Sequence, residues 1–456
     1  MKFHSTNKKA KGYNFQEVLL AGLAPDGGLF MPDRIPKLSD KFIANLEKFS
    51  FREIAEIVSP KFIDNLPPRA LSRIIREVFN FPVPLRQIAD NLFVLELFHG
   101  PTAAFKDFGA RFMARIFAYF LKRQNKKITI ITATSGDTGS AVASGFFGLP
   151  NIAVFILYPK GKVSPLQERQ LTTFGGNITA LEVEGTFDDC QALAKAALRD
   201  LSQPPLNLPL SASTRQGEKK SGAGGEIWVS SANSINFGRL LPQSFYYFWG
   251  VRELRAKFGI AEPPVYVVPS GNFGNLVGGL LAAKMGLPVS GFVAATNTNQ
   301  VVPKYLATGK FIQKKSKSTI SNAMDVGNPS NFARMLEIFK GDHQLMRKTI
   351  SGISIDDRET RRTIKETYHQ TGYILDPHTA VGVAAAKRHG LEKPTIVLAT
   401  AHPAKFREIV EPVISQKVRL PSQLAGMLQK KKKSIIIKND LKELTKFLRH
   451  ASIRRD

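Results

Sequence analysis

One cysteine in 456 residues, Cys190, leaves no second thiol for an intrachain disulfide and no thiolate set for a metal cluster. Such usage points to a reducing compartment. No apolar run approaches the roughly 18 residues that a membrane-spanning helix needs. The opening MKFHSTNKKAKGYNF has no apolar stretch of signal-peptide length. A cytoplasmic location without a membrane partner is the expectation. Acidic side chains are also scarce, with 37 Asp and Glu against 64 Lys and Arg and a formal charge of +27.

That imbalance invites a nucleic-acid-binding reading, but its distribution argues for a solvated basic surface. Residues 401–456 carry 14 Lys and Arg against 5 Asp and Glu, including the run Lys430 to Lys433, and many other basic residues are scattered singly. No aromatic-interleaved basic motif, zinc-finger spacing or recognition-helix signature accompanies them. No nucleic-acid partner is expected, and the surface charge would attract anionic substrates. What is plentiful is ordinary: 43% hydrophobic and 22% charged residues, with 35 Gly and 27 Pro, describe a soluble α/β protein. Its length exceeds what one core supports, so two or three domains are expected.

Residues 1–90 alternate helical patterns with turn signals such as Ala24 to Gly28 (APDGG), and read as an amino-terminal domain. From Asn91 short β-branched or aromatic runs are followed by glycine-bearing turns and amphipathic stretches, the pattern of βα units and a parallel sheet. The expected division is 1–90, then 91–260 and 261–456, both α/β. Residues 202–226, rich in Pro, Ser, Gly and charge, read as a mobile surface loop. The segment after Leu420 ends in a helix-like NDLKELTKFLRH and is expected to cover a sheet or a domain seam.

Three strand-like runs end in loops of chemical interest: KKITIITAT into SGDTG, PPVYVVPS into GNFGN, and PTIVLAT into AHPAKF. In open α/β sheets ligands sit beyond the carboxyl ends of the strands, so the three loops are expected to converge. SGNFGN (Ser270 to Asn275) permits close backbone approach and opens a helix, a design suited to a phosphate. SGDTG (Ser135 to Gly139) has the same plan and could hold a carboxylate or a phosphate. Asp137 is awkward in an anion loop, and its carboxylate is expected to face a ligand's polar edge or the loop's own backbone.

In HGPTAAFKDFG, Lys106 stands between Phe105 and Phe108, at the start of a stretch that buries Phe108, Phe112, Ile116, Phe117 and Phe120 at helical spacing. The helix dipole and the apolar neighbours both disfavour its ammonium. A neutral amine is a nucleophile for aldehydes. A Schiff-base lysine together with a backbone phosphate cradle specifies pyridoxal 5′-phosphate.

A longer series of stretches lies in one order: GLAPDGGLFMP, FHGPTAAFKDFGARFM, ATSGDTGSA, VEGTFDDCQ, SANSINFGR, PSGNFGN, AATNTN, AMDVGNPSNF, LDPHTAVG and ATAHPAKF. Together they resemble the threonine synthase family, in its longer bacterial and fungal form, across nearly the whole chain. Only the 202–226 loop and the basic charge depart from that pattern. The resemblance implies a fold-type II, tryptophan synthase β-like α/β architecture, with open, mostly parallel sheets, helices on both faces and an amino-terminal domain. It implies a pyridoxal-phosphate-dependent carbon–oxygen lyase that turns O-phospho-L-homoserine and water into L-threonine and phosphate. The alternative is a synthase-like phospholyase or a threonine/serine dehydratase giving a 2-oxo acid. By the same resemblance Lys106 would link to the cofactor and act as base and acid. Gly271, Asn272, Phe273, Gly274 and Asn275 would bind the cofactor's phosphate, and Thr400 would contact its pyridine nitrogen. Ser135 and Thr138 would hold the substrate carboxylate, and Ser234 and Arg239 its phosphate, with Lys160 a second candidate there. The chain is expected to act as a monomer or a homodimer.

Overall fold

The structure, a computed structural model, describes residues 1–124, 127–201 and 228–453. The loop expected at 202–226 lies outside the described residues. Two open sheets organise the chain. The five-stranded sheet runs Ser434–Lys438, Ile178–Glu184, Ile152–Pro159, Ile128–Ala133, Val229–Ser231, all parallel. The six-stranded sheet runs Ile350–Ser354, Gly291–Thr296, Val265–Pro269, Thr395–Ala399, Leu92–Glu96, Leu85–Ala89, with only the last pair antiparallel.

Both sheets are covered on both faces, which is why their strands read as continuous apolar runs rather than as alternating ones. In the five-stranded sheet Ile130, Val154 and Ile156 face one core, shared with the helices Lys106–Gln124 and Asp137–Phe146. Their neighbours Ile131, Phe155 and Leu157 face a second core, closed by the helices Phe187–Leu201 and Leu441–Ile453. The six-stranded sheet repeats the plan. Tyr266 and Val268 join the large core, while Val265 and Val267 meet the helix Pro377–His389 on the other face. The strict period of two along each strand sorts the two cores.

The amino-terminal segment adds a small antiparallel sheet of Lys11–Tyr13, Phe3–Ser5 and Phe30–Pro32. Its amphipathic helix Pro68–Val78 buries Leu71, Ile74, Ile75 and Val78 in the large core. Two strands pair with partners distant in the chain: Leu92–Glu96 with Thr395–Ala399, and Ser434–Lys438 with Ile178–Glu184. The carboxyl-terminal segment is thus an integral edge strand and helix rather than only a cover. Nor is the lysine run simply solvated. Lys432 Nζ bonds Glu168 at 2.7 Å and Glu182 at 2.9 Å, tying that edge to its sheet. No helix among the described residues is long and apolar enough to cross a membrane.

Candidate active site

The three loops singled out in the sequence do converge, at one cleft between the two sheets whose empty volume is about 790 Å³ including its mouth. Ile128–Ala133 leads into the first, folded about Thr134, whose Oγ1 accepts from the Gly136 and Gly139 N–H groups at 2.9 and 2.8 Å. Gly136 has φ +138°, which side-chain-bearing residues rarely adopt, and a Cβ there would meet the Gln167 amide at 2.5 Å. Ser135 and Thr138 line the cleft.

Val265–Pro269 leads into the second loop. Phe273 takes the left-handed conformation (φ 58°, ψ 14°), and the helix Gly274–Lys284 opens with no side-chain cap. The N–H groups of Asn272, Phe273, Gly274 and Asn275 meet no acceptor among the described residues. The asparagine side chains are occupied in building the loop. Asn272 Oδ1 accepts from Ser330 N at 2.6 Å and its Nδ2 donates to Ser234 Oγ at 3.2 Å, while Asn275 Nδ2 donates to Pro269 O at 2.9 Å. What the loop offers a ligand is therefore backbone N–H, at the positive end of a helix, where an anion is favoured.

Thr395–Ala399 leads into the third. Buried Thr400 lines the cleft, and its carbonyl accepts from Phe105 N at 2.9 Å, fixing the residue before Lys106. Lys106 opens the helix Lys106–Gln124, as its place in the sequence suggests, with Nζ 4.2 Å from the centre of the Phe105 ring. Burial and then the nearby Arg239 charge lower its pKa to about 7, against the opposing pull of Asp137. The next residue, Asp107, is pinned by Thr102 N and Thr102 Oγ1 at 2.9 and 2.8 Å.

Arg239 is 2% exposed. Its Nη1 donates to Ala232 O at 2.6 Å, its Nε has no partner, and burial lowers its pKa to about 10. The Nε is enclosed beside Gly109, whereas Nη2 is not enclosed and meets no acceptor among the described residues, so the guanidinium keeps one donor for an anion in the cleft. Ser234 Oγ accepts from both Asn272 Nδ2 and Asn331 Nδ2 (3.0 Å), so its own proton is left to donate.

All the principal candidates, Lys106, Ser135, Thr138, Ser234, Arg239, Gly271 to Asn275 and Thr400, border this one cleft. Lys160 does not: it pairs with Glu184 at 3.2 Å, with a side chain 45% exposed. Asp137 also borders the cleft, and its carboxylate is held by side chains from outside its own loop. Its Oδ1 lies 2.6 Å from Lys405 Nζ and 2.9 Å from Gln167 Nε2. Lys405, in AHPAKF, and His378, in LDPHTAVG, were not singled out from the sequence. His378 lines the cleft and holds the Ala323 N–H on Nε2 at 3.2 Å, with Nδ1 2.8 Å from Asp376. Their motifs were visible, but nothing in the spacing tells a buried lysine or histidine from a surface one.

The lysine, the amide cradle and the doubly covered parallel sheets define a fold-type II pyridoxal-phosphate enzyme, and residues 79–400 match the family model described as pyridoxal-phosphate dependent enzyme. Models for the threonine synthase N terminus and C-terminal region match residues 2–79 and 379–448. A threonine synthase from Haemophilus influenzae is 42% identical over 98% of this chain and 99% of its own. The crystal structure of threonine synthase from Escherichia coli superposes with a TM-score of 0.88 at 39% identity, covering 99% of this chain and 100% of that one. That of pyridoxal-phosphate-bound threonine synthase from Brucella melitensis gives 0.85 at 35%, covering 99% of each. The chain belongs to the threonine synthase family.

The cleft fits pyridoxal phosphate on its own terms. Four unpartnered N–H groups suit a phosphate, and a part-buried amine of depressed basicity suits an aldehyde. The apoprotein should take up the cofactor at a rate that rises with pH and levels off above a midpoint near 7. A lysine in water would keep climbing to about 10.4. Stopped-flow absorbance across pH 6 to 10 checks this, and a midpoint above 9 would contradict the buried environment.

Proposed function

We propose that this chain converts O-phospho-L-homoserine and water into L-threonine and phosphate, with the cleft residues in the roles that follow. The observation that carries the reading is Lys106, a part-buried amine of lowered pKa, lining the same cleft as an unpartnered amide cradle and a buried guanidinium whose Nη2 has no partner among the described residues. Two separate anion contacts match a phosphorylated cofactor and a phosphorylated substrate.

Pyridoxal phosphate supplies a carbonyl that couples to amines and a ring that draws electrons from the attached carbon. The amides of Gly271 to Asn275 hold its phosphate, and the Thr400 hydroxyl meets its ring nitrogen. Ser135 and Thr138, with the loop's N–H groups, hold the substrate carboxylate. Arg239 and the Ser234 O–H hold the substrate phosphate and stabilise it as it departs. Once free, the Lys106 amine takes a proton from Cα and one from Cβ as the Cγ–O bond to phosphate breaks, gives a proton to Cγ, takes one from the water that adds at Cβ, and returns one to Cα. A pKa near 7 lets one amine act in both directions at neutral pH.

The test is product balance. Cofactor-loaded protein supplied with O-phospho-L-homoserine should release phosphate and threonine in equal amounts, with 2-oxobutyrate at a few per cent or less. Phosphate matched by 2-oxobutyrate would move the function to a phospholyase, and absence of phosphate release would remove the substrate.

A further inference from the structure

The loop proposed to take the substrate carboxylate contains a carboxylate of its own. Asp137 is the first residue of the helix Asp137–Phe146, 4% exposed, flanked by the cleft-lining Ser135 and Thr138. Ionised and alone, it would repel an incoming carboxylate through a medium of low dielectric. The structure places a cation against it from the other sheet. Lys405, in the turn Pro403–Phe406 that follows the strand Thr395–Ala399, has a fully buried side chain with Nζ 2.6 Å from Asp137 Oδ1. The same Nζ donates to Thr102 O at 3.0 Å, four residues before Lys106.

Resting on the reading that Ser135 to Gly139 hold the substrate carboxylate, we propose that Lys405 is a positioning residue: it cancels the Asp137 charge and thereby turns this loop into an anion site. The other groups that face the pair are few. Gln167 Nε2 donates to the same Asp137 oxygen at 2.9 Å, and Lys106 and His378 lie within electrostatic reach of Asp137. Asp107 and His402 lie within reach of Lys405. Burial pushes the Asp137 carboxyl up, but the Lys405 charge and bond, with Gln167, bring it below its ordinary value, so it is ionised and balanced when substrate arrives. A buried pair kept only for stability would be replaceable by apolar groups with no effect on substrate. Charge cancellation makes a different demand, that Lys405 matters only while Asp137 is charged.

The experiment compares cofactor-loaded full-length Lys405→Met, Asp137→Asn with Lys405→Met, and wild type, by steady-state kinetics on O-phospho-L-homoserine from pH 6 to 9. The visible spectrum of bound cofactor reports an intact site. Lys405→Met should raise KM at least about tenfold at pH 8, with less change in kcat, and the rise should grow with pH as the unpaired carboxyl ionises. The double variant should bring KM back to within about threefold of wild type and lose that pH dependence. An unchanged KM in Lys405→Met at pH 8, or an equal rise in the double variant, overturns the proposal. If Lys405→Met does not fold, Lys405→Gln, uncharged but able to bond Thr102 O, takes its place with the same expected rise and the same repair. Ser135→Ala and Thr138→Ala test the underlying reading separately: both should raise KM, and if neither does, the loop is not the carboxylate site and the proposal falls with it.

Discussion

Lys106→Ala should end threonine formation: kcat/KM should fall by at least about 1,000-fold, because in the proposed roles one change removes both the nucleophile that anchors the cofactor and the acid–base group that serves the substrate carbons. Among the described residues that border the cleft, Lys106 is the only lysine. Lys405, the nearest conceivable substitute, is buried beneath the loop and held by Asp137 and Thr102. A second reading separates anchoring from catalysis. Borohydride reduction should fix the cofactor covalently to the wild-type chain, on the peptide carrying Lys106, and leave none on the variant. Threonine formed at an undiminished rate by Lys106→Ala would refute the assignment.

The fold holds this amine in place from both sides of the chain. Phe105 N is bonded to Thr400 O, and Asp107 is bonded to Thr102, so the residues flanking Lys106 are fixed before its side chain is considered. Burial and the Arg239 charge then work in one direction on the ammonium. From 10.5 to about 7 is about 5 kcal/mol of differential preference for the neutral form. Substrate binding through remote contacts would offset that preparation, and Arg239, Ser234 and the two loops are the contacts proposed for it.

How much of this was legible in the sequence follows from what each signal depends on. The strands ITIITA, VYVVP and TIVLA were readable because strands covered on both faces are apolar without interruption, and the glycine-bearing loops after them marked their carboxyl ends. Lys106 was readable because a charge inside an apolar helical pattern is a local contradiction. The exchange of strands was not: Leu92–Glu96 lies beside Thr395–Ala399 through pairing some 300 residues apart, which no local pattern records. The strand SIIIK was masked by the lysine run before it and by the exposure of Ile435 and Ile436 that comes with an edge position. The partner of Asp137 was equally hidden, since Lys405 and Asp137 meet only when the two sheets are brought together.

Gly271→Ala tests the phosphate cradle with a single methyl group and should weaken pyridoxal phosphate binding about 100-fold, measured by titrating the apoprotein against its visible absorbance. The reason is space rather than backbone conformation. A Cβ at Gly271 would lie 2.7 Å from Met324 Cα, 2.9 Å from Ala323 O and 3.0 Å from Val326 Cγ2, and the first two are backbone atoms. That segment cannot simply move aside, because Ala323 N is held by His378, which is itself held by Asp376. The loop must move instead, carrying with it the N–H groups of Asn272 to Asn275. Overpacking of this kind costs about 1 to 3 kcal/mol, and its upper end corresponds to roughly 100-fold in affinity. Because the clash falls on the cradle and leaves Lys106 untouched, the cofactor that does bind should still be fixed by borohydride. Wild-type affinity in Gly271→Ala would mean that this turn does not carry the phosphate.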